Sequence, residues 1–262
     1  MKKLIYQVYL GDRSKLYDHC TNSAYEYSKR VGADYKILNV PKLRIKPNVF
    51  RTERTGKCGG WSKLGYMPIF EKENVFDYFQ DYDKCCVIDS DIYIRKSAPN
   101  IFDEINDSDT VASVYESDLP FTKEYGLKIK HYSHNMLDKY NYNWETSNVF
   151  GKAFFNSGVM LYNSDKMLES LDGMNAKRFL EQPMLQDFID GVGFLKWQTD
   201  QITLNYWFKA KGINVKKLDW KWNGMYKAIA DNRISEAHFV HFFLRDKLPN
   251  QGNDIKELME LI

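Results

Sequence analysis

Two aspartates, Asp89 and Asp91, close the unbroken apolar run Cys85-Cys86-Val87-Ile88. Carboxylates two apart at a strand end can share one hard cation, and such a cation can bridge diphosphate oxygens. Alone, D-x-D is a common turn. The apolar run before it reads as a central strand buried on both faces, and in open α/β sheets ligands bind at the carboxyl ends of such strands. Three further segments carry polar groups beside apolar runs. Asn156-Ser157-Gly158 heads the run Val159–Tyr162. Asp200-Gln201 opens a run with Ile202, Leu204 and Tyr206 in helical rhythm, where Asp200 by itself reads as a helix cap. His238 and His241 lie three apart in a β-rich run, so along a strand they point to opposite faces and only one can face a shared site. His241, nearer the strand's carboxyl end, is the expected member of that site, and His238 the structural residue.

Local patterns predict the elements that hold these groups. Residues 4–10 read as a strand. Leu16, Cys20, Ala24, Tyr27 and Val31 form one face of a helix that Ser14 can cap and Gly32 can end. Residues 35–40 read as a second strand, and a strand–helix–strand opening argues for a parallel α/β sheet. Residues 41–60 lose periodicity and hold Pro41, Pro47, Gly56, Gly59 and Gly60 among six basic residues, a surface loop. Residues 64–79 look helical after Pro68. Further strands are expected at 111–115, 158–162, 213–218 and 238–243, and 118–152 reads as a polar, Tyr-rich elaboration with little periodicity.

Composition excludes several classes. The 262 residues are 44% hydrophobic, with 18 Tyr, 16 Phe and 6 Trp, too apolar for disorder. Lys+Arg of 37 against Asp+Glu of 35 leaves +2, too small a field to argue for nucleic acid. No run approaches the roughly 18 apolar residues of a spanning helix. The N-terminal residues lack the cleavage pattern of a signal peptide. Cys20, Cys58, Cys85 and Cys86 show neither metal spacing nor secreted density, which points to reduced thiols and a cytoplasmic location.

Together the segments resemble the family 8 glycosyltransferases, the group of glycogenin and the bacterial lipooligosaccharide galactosyltransferases, over residues 60–247. Ser62-Lys63-Leu64 is similar to the family's [ST]-K-L, Ile88-Asp89-Ser90-Asp91 to its D-x-D, and Phe155–Tyr162 to its F-N-S-G-V strand. Asp200–Asn205 resembles D-Q-x-x-L-N, His241–Lys247 resembles H-F-x-G-x-x-K-P-W, and Trp222-Asn223 echoes a further position. The chain departs at Leu244, at Lys247-Leu248-Pro249 and in its first strand, V-Y-L-G-D where the family has T-x-D.

The resemblance implies a GT-A-type, Rossmann-like α/β single domain with a central, mostly parallel mixed sheet flanked by helices. Residues 1–115 would form the nucleotide-binding half, and 116–262 the acceptor-binding half with a C-terminal metal and diphosphate loop. It implies a metal on Asp89, Asp91 and His241, Mn²⁺ with Mg²⁺ as the alternative, since imidazole ligation suits Mn²⁺ better. The donor, a UDP-sugar, would meet Val8, Tyr9, Lys63, Ser90 and Lys247, while Asp200, Gln201 and Asn156 would act on the sugar and a glycan acceptor. Transfer would retain anomeric configuration. Two alternatives stand beside this reading: a nucleotidyltransferase of similar fold, which would want a Gly-rich basic signature near the first strand, and a non-catalytic carbohydrate-binding protein.

Overall fold

The computed structural model describes residues 1–48, 64–138, 142–190, 199–243 and 248–262. The chain opens with β1 (Lys3–Val8), α1 (Lys15–Val31) and β2 (Asp34–Leu38). The predicted caps of α1 are present: the Ser14 side chain accepts from the Tyr17 N–H, and Gly32 ends the helix at φ 65°, a conformation that penalises any Cβ.

Pro68–Tyr78, expected as an α-helix, is instead a succession of 3₁₀ turns. It is fastened from outside itself. The buried Glu71 carboxylate accepts from the backbone N–H groups of Lys42, Leu43 and Arg44 at 2.9, 3.0 and 2.7 Å, and from the Asn74 amide at 2.8 Å. β3 (Lys84–Ile88), β4 (Ile92–Ile94) and β5 (Val111–Tyr115) follow.

The stretch 118–152 is more regular than its composition suggests. It contains α2 (Lys123–Leu137) and a small ladder of β6 (Thr146–Ser147) with β7 (Gly151–Lys152). The apolar rhythm of α2 is masked because Gly126 and Ser133 occupy its buried face; a Cβ on Gly126 would come within 2.6 Å of the Phe121 ring. The chain continues through β8 (Phe155–Asn163), α3 (Ser164–Leu171), α4 (Ala176–Leu180), α5 (Pro183–Asp190) and α6 (Asp200–Ala210). β9 (Val215–Leu218), β10 (Gly224–Met225), β11 (Phe239–His241) and α7 (Ile255–Glu260) complete it.

Six strands form the central sheet in the order β2-β1-β3-β8-β5-β9, parallel throughout except for β8. Every residue of β3 and β8 is buried, because side chains alternate into two cores. Leu4, Tyr6, Cys85, Val87 and Met160 face a core closed by the 3₁₀ segment and α3–α6; Ile5, Cys86, Ile88, Val159 and Leu161 face one closed by α1, α7 and a second sheet. That second sheet, β10-β11-β4, takes the 238–243 run out of the central sheet and pairs it antiparallel with β4. Among the described residues no helix is long and apolar enough to cross a membrane.

The Glu71 carboxylate is the knot between the 3₁₀ segment and residues 42–44. Glu71→Ala removes four hydrogen bonds to an ionisable side chain and is expected to destabilise the fold by about 2–3 kcal/mol. That corresponds to a fall of roughly 5–10 °C in Tm. Unfolding followed by circular dichroism checks it; an unchanged midpoint would mean that other contacts hold the loop.

Candidate functional site

Asp89-Ser90-Asp91 is the short link from β3 in the central sheet to β4 in the second. Its backbone is pinned from three sides. The Asp89 N–H donates to Gly158 O at 2.8 Å, the Phe242 N–H donates to Asp91 O at 3.0 Å, and the fully buried Gln7 amide donates to Asp89 O at 3.1 Å. Pairing of β11 with β4 sets His241 opposite Ile92, which brings its ring to the two carboxylates. His241 Nε2 lies 3.2 Å from Asp91 Oδ1 and 3.9 Å from Asp89 Oδ2. One ligand atom from each of the three residues falls within 4.8 Å of the others, a group that could hold a metal ion.

The chemistry of the surround fits a cation. Glu116 can only accept, so the Asn156 Nδ2 at 2.8 Å from Glu116 Oε1 donates to it. Asn156 Oδ1 therefore points the other way, accepting from the Gly158 N–H and the Asn223 amide, both at 2.8 Å. That leaves Asn223 Oδ1 facing His241 Nδ1 at 3.0 Å, so Nδ1 carries a proton and Nε2 is the nitrogen that faces the carboxylates, free to ligate a metal once its own proton leaves. A chain of four side chains thus sets the tautomer a metal-binding histidine needs. Burial opposes the charged form of His241, yet Asp91 and Asp89 outweigh it and raise the ring above its ordinary 6.5. Burial likewise opposes ionisation of Asp91, and His241 reverses this, holding Asp91 below its usual value. Asp89 is raised, by burial and by the neighbouring Asp91 and Asp200, against the pull of Lys72 and His241.

A second group adjoins the first. Lys72, on the 3₁₀ segment, places Nζ 2.8 Å from Asp89 Oδ1 and 2.5 Å from Asp200 Oδ2, with Ser157 O at 3.3 Å. Burial alone would lower this lysine, but the two aspartates raise it, so it is a fixed cation. Thr199, not Asp200, caps α6 through its side chain to the Ile202 N–H, which corrects the capping reading of Asp200. Asp200 occupies the first turn and turns inward. Gln201 accepts from the Ser157 N–H at 3.3 Å and approaches Glu116 Oε1 at 3.4 Å.

The structure thus brings Asp89, Asp91, His241, Asn156, Asp200 and Gln201 into one connected surround. Ser90 lies half-buried within the aspartate link. Val8 and Tyr9 stand at the carboxyl end of β1, beside β3; Tyr9 is tied down by the Ser14 N–H donating to its hydroxyl at 2.7 Å. Lys63 and Lys247 lie outside the described residues, as does Cys58. Cys85 and Cys86 are free thiols in the buried strand. His238 packs its ring against Trp222 and stays away from the metal group. Lys72 and Glu116 are the two site residues missing from the sequence reading. Glu116 could have been found as the charged residue just past the apolar run 111–115, and Lys72 as the one cation in the run 68–78, set between Glu71 and Glu73.

No protein-family model and no curated protein matches the sequence. Solved structures do match. A galactosyltransferase, LgtC, in complex with donor and acceptor sugar analogues is similar at a TM-score of 0.58 with 13% identity, over 98% of this chain and 94% of that one. A glycosyltransferase involved in glycosylation of the major capsid of PBCV-1 aligns over 100% of both chains at a TM-score of 0.50 and 15% identity. Mouse xyloside xylosyltransferase 1 aligns over 95% of this chain and 100% of its own at a TM-score of 0.50 and 15% identity. At these identities the likeness is one of fold: the chain has the GT-A fold.

Two outcomes follow from this geometry. A Cβ at Gly158 would lie 2.8 Å from His241 Cε1 and 2.9 Å from Asn156 Oδ1. Gly158→Ala should therefore displace the ring and weaken Mn²⁺ binding roughly 10–100-fold, the range for disturbed partners of metal ligands, while leaving the chain folded. Unaltered affinity by calorimetry would show that the ring does not hold the ion. Because the aspartates raise His241 above 6.5, a proton competes with any metal at neutral pH. Mn²⁺ affinity should then climb between pH 6 and 8, with a proton released on binding that is absent in His241→Ala.

Proposed function

We propose that the chain is a metal-dependent glycosyltransferase that moves a sugar from a nucleotide sugar to a glycan acceptor. The observation that carries this reading is the Asp89–Asp91–His241 group at the carboxyl end of the buried strand, in contact through Lys72 with Asp200. In transfer, the bond between the anomeric carbon and the phosphate oxygen breaks, and the diphosphate takes the electron pair. A divalent cation held by Asp89, Asp91 and His241 would supply positive charge to that leaving group. Lys72, whose Nζ contacts Asp89 and Asp200 at once, would stand between the diphosphate and the sugar. Such charge counts most in the transition state, where negative charge on the leaving oxygen is greatest.

Asp200 would face the positive charge developing on the sugar ring. Gln201 and Asn156, both donating to Glu116, would with it hold hydroxyls of donor and acceptor. The nucleoside would sit beside β1. A depression of ≈ 340 Å³ opens at the carboxyl ends of β1 and β2, lined by Tyr9, Arg13, Tyr25, Tyr35 and Asn39. Tyr35 reaches the metal strand through Gln7, whose amide accepts from the Tyr35 hydroxyl at 2.7 Å and donates to Asp89 O at 3.1 Å. A UDP-sugar donor, Mn²⁺ and retention of configuration complete the reading on the sequence resemblance, and a cytoplasmic location on the cysteine usage. So do the nucleotide contacts of Val8, Ser90, Lys63 and Lys247, and one unit with a nucleotide half (1–115) and an acceptor half (116–262).

A panel of UDP-, GDP- and dTDP-sugars with Mn²⁺ should show nucleotide diphosphate release with the UDP donors. Release from none of them, with metal bound, would overturn the reading. Asp200→Asn should lower kcat by on the order of 10²-fold, the scale of losing one charge-stabilising group. Its UDP affinity should stay near that of the parent chain. An equal loss of both would place Asp200 on the nucleotide side.

A further inference from the structure

Beside Lys72 stands Glu73, which the chemistry outlined above does not use. It is 2% exposed, and neither carboxyl oxygen has a hydrogen-bond partner. With Lys72, Phe76, Ser157, Tyr162 and Asp200 it lines a cavity of ≈ 10 Å³, about the volume one water needs. Asp200, which lines the same cavity, is also buried, its Oδ2 held by Lys72 Nζ at 2.5 Å. The cavity therefore holds one carboxyl group with no hydrogen-bond partner beside a carboxylate that meets Lys72.

Charge decides the form of Glu73. Among the described residues, Lys72 on its own segment is the cation against it and already serves Asp89 and Asp200. The other described titratable groups that face it are acidic: Glu71 on the same segment, Asp200 on α6, Tyr162 on β8, Tyr6 on β1, and Asp89 beyond Lys72. Burial, then Asp200, push Glu73 well above the usual carboxylate range, with Lys72 opposing. An ionised Glu73 would be a buried charge with no donor, the arrangement proteins avoid most strongly. A neutral acid carries one O–H and needs one acceptor.

We infer that Glu73 is a positioning residue: a neutral carboxylic acid that donates, through one water in this cavity, to Asp200 and so keeps Asp200 aligned on Lys72. Only the kinetic consequence rests on the transferase reading; the protonation and the alignment do not. The sign of the stability effect follows from the raised position of the acid. Neutral Glu73 is favourable below the ordinary glutamate pKa of about 4.3, and that contribution is lost as pH rises toward the group's own, higher value.

Glu73→Gln keeps a neutral donor of the same shape, and Glu73→Met keeps only the volume. Infrared spectra taken above the ordinary glutamate pKa should show the carbonyl band of a buried protonated carboxyl group that is missing from both variants. Nitrogen-15 spectra of the lysine ammonium groups should keep a slowly exchanging Lys72 signal in Glu73→Gln and lose it in Glu73→Met. On heating, Glu73→Gln should gain on the parent chain as pH rises. In turnover, Glu73→Met should lower kcat roughly 10–100-fold, the range for removing the partner of a site residue, without weakening nucleotide diphosphate binding, and Glu73→Gln should recover most of the loss. The inference is overturned by a missing carboxyl band, by an intact Lys72 signal in Glu73→Met, or by Glu73→Gln failing as Glu73→Met does. If the parent chain turned over no nucleotide sugar while band and signal behaved as described, the transferase reading alone would fall.

Discussion

Among the described residues, acids outnumber cations at the carboxyl end of β3, and the arrangement there answers to that imbalance. Asp89, Asp91, Asp200, Glu73 and Glu116 converge where Lys72 is the one permanent positive charge among the described side chains that contact them. Burial limits how far water can screen the excess, so each carboxylate is favoured by a proton, a donor or a cation. Lys72 serves Asp89 and Asp200 together. Asp91 draws positive charge onto His241, and Glu116 takes the amides of Asn156 and Gln201. Glu73, left without a partner, keeps its proton by the inference above. A divalent ion on Asp89, Asp91 and His241 would meet the largest remaining demand, and a group already short of positive charge would then accept a diphosphate only with its metal.

The geometry of this cluster depends on one reversed strand. β8 runs against β3 and β5, so its head, Asn156-Ser157-Gly158, emerges at the same edge as the tail of β3. Had β8 run parallel, those residues would stand at the opposite end of the sheet. From that head the hydrogen-bond chain Glu116–Asn156–Asn223–His241 crosses to the second sheet and sets the orientation of the imidazole. Gly158 has no side chain because the ring occupies the place where a Cβ would be.

Much of this was legible from short-range pattern. The helix 15–31 with its Ser14 and Gly32 caps, the buried run ending in Asp89-Ser90-Asp91, and the apolar strand after Asn156 all follow from spacing and end signals within one element. The resemblance to a known family added the pairing of His241 with the aspartates. What stayed hidden has a shared cause. Residues 68–78 obey Glu71 and its partners in 42–44 rather than their own helical tendency. α2 buries Gly126 and Ser133 against neighbours, so its stripe is invisible to a hydrophobic count.

Sequence alone marked Asp89, Asp91, Asn156, Asp200 and His241 as groups that could do chemistry, and the strand end at which the two aspartates emerge, because burial and element ends are read within a few residues along the chain. Only the tertiary structure decided the direction of β8, the partners of Lys72, the tautomer of His241 and the isolation of Glu73. Those depend on side chains from separate elements meeting in a space poor in water, where a charge or a proton is placed by every neighbour at once and no local pattern records it.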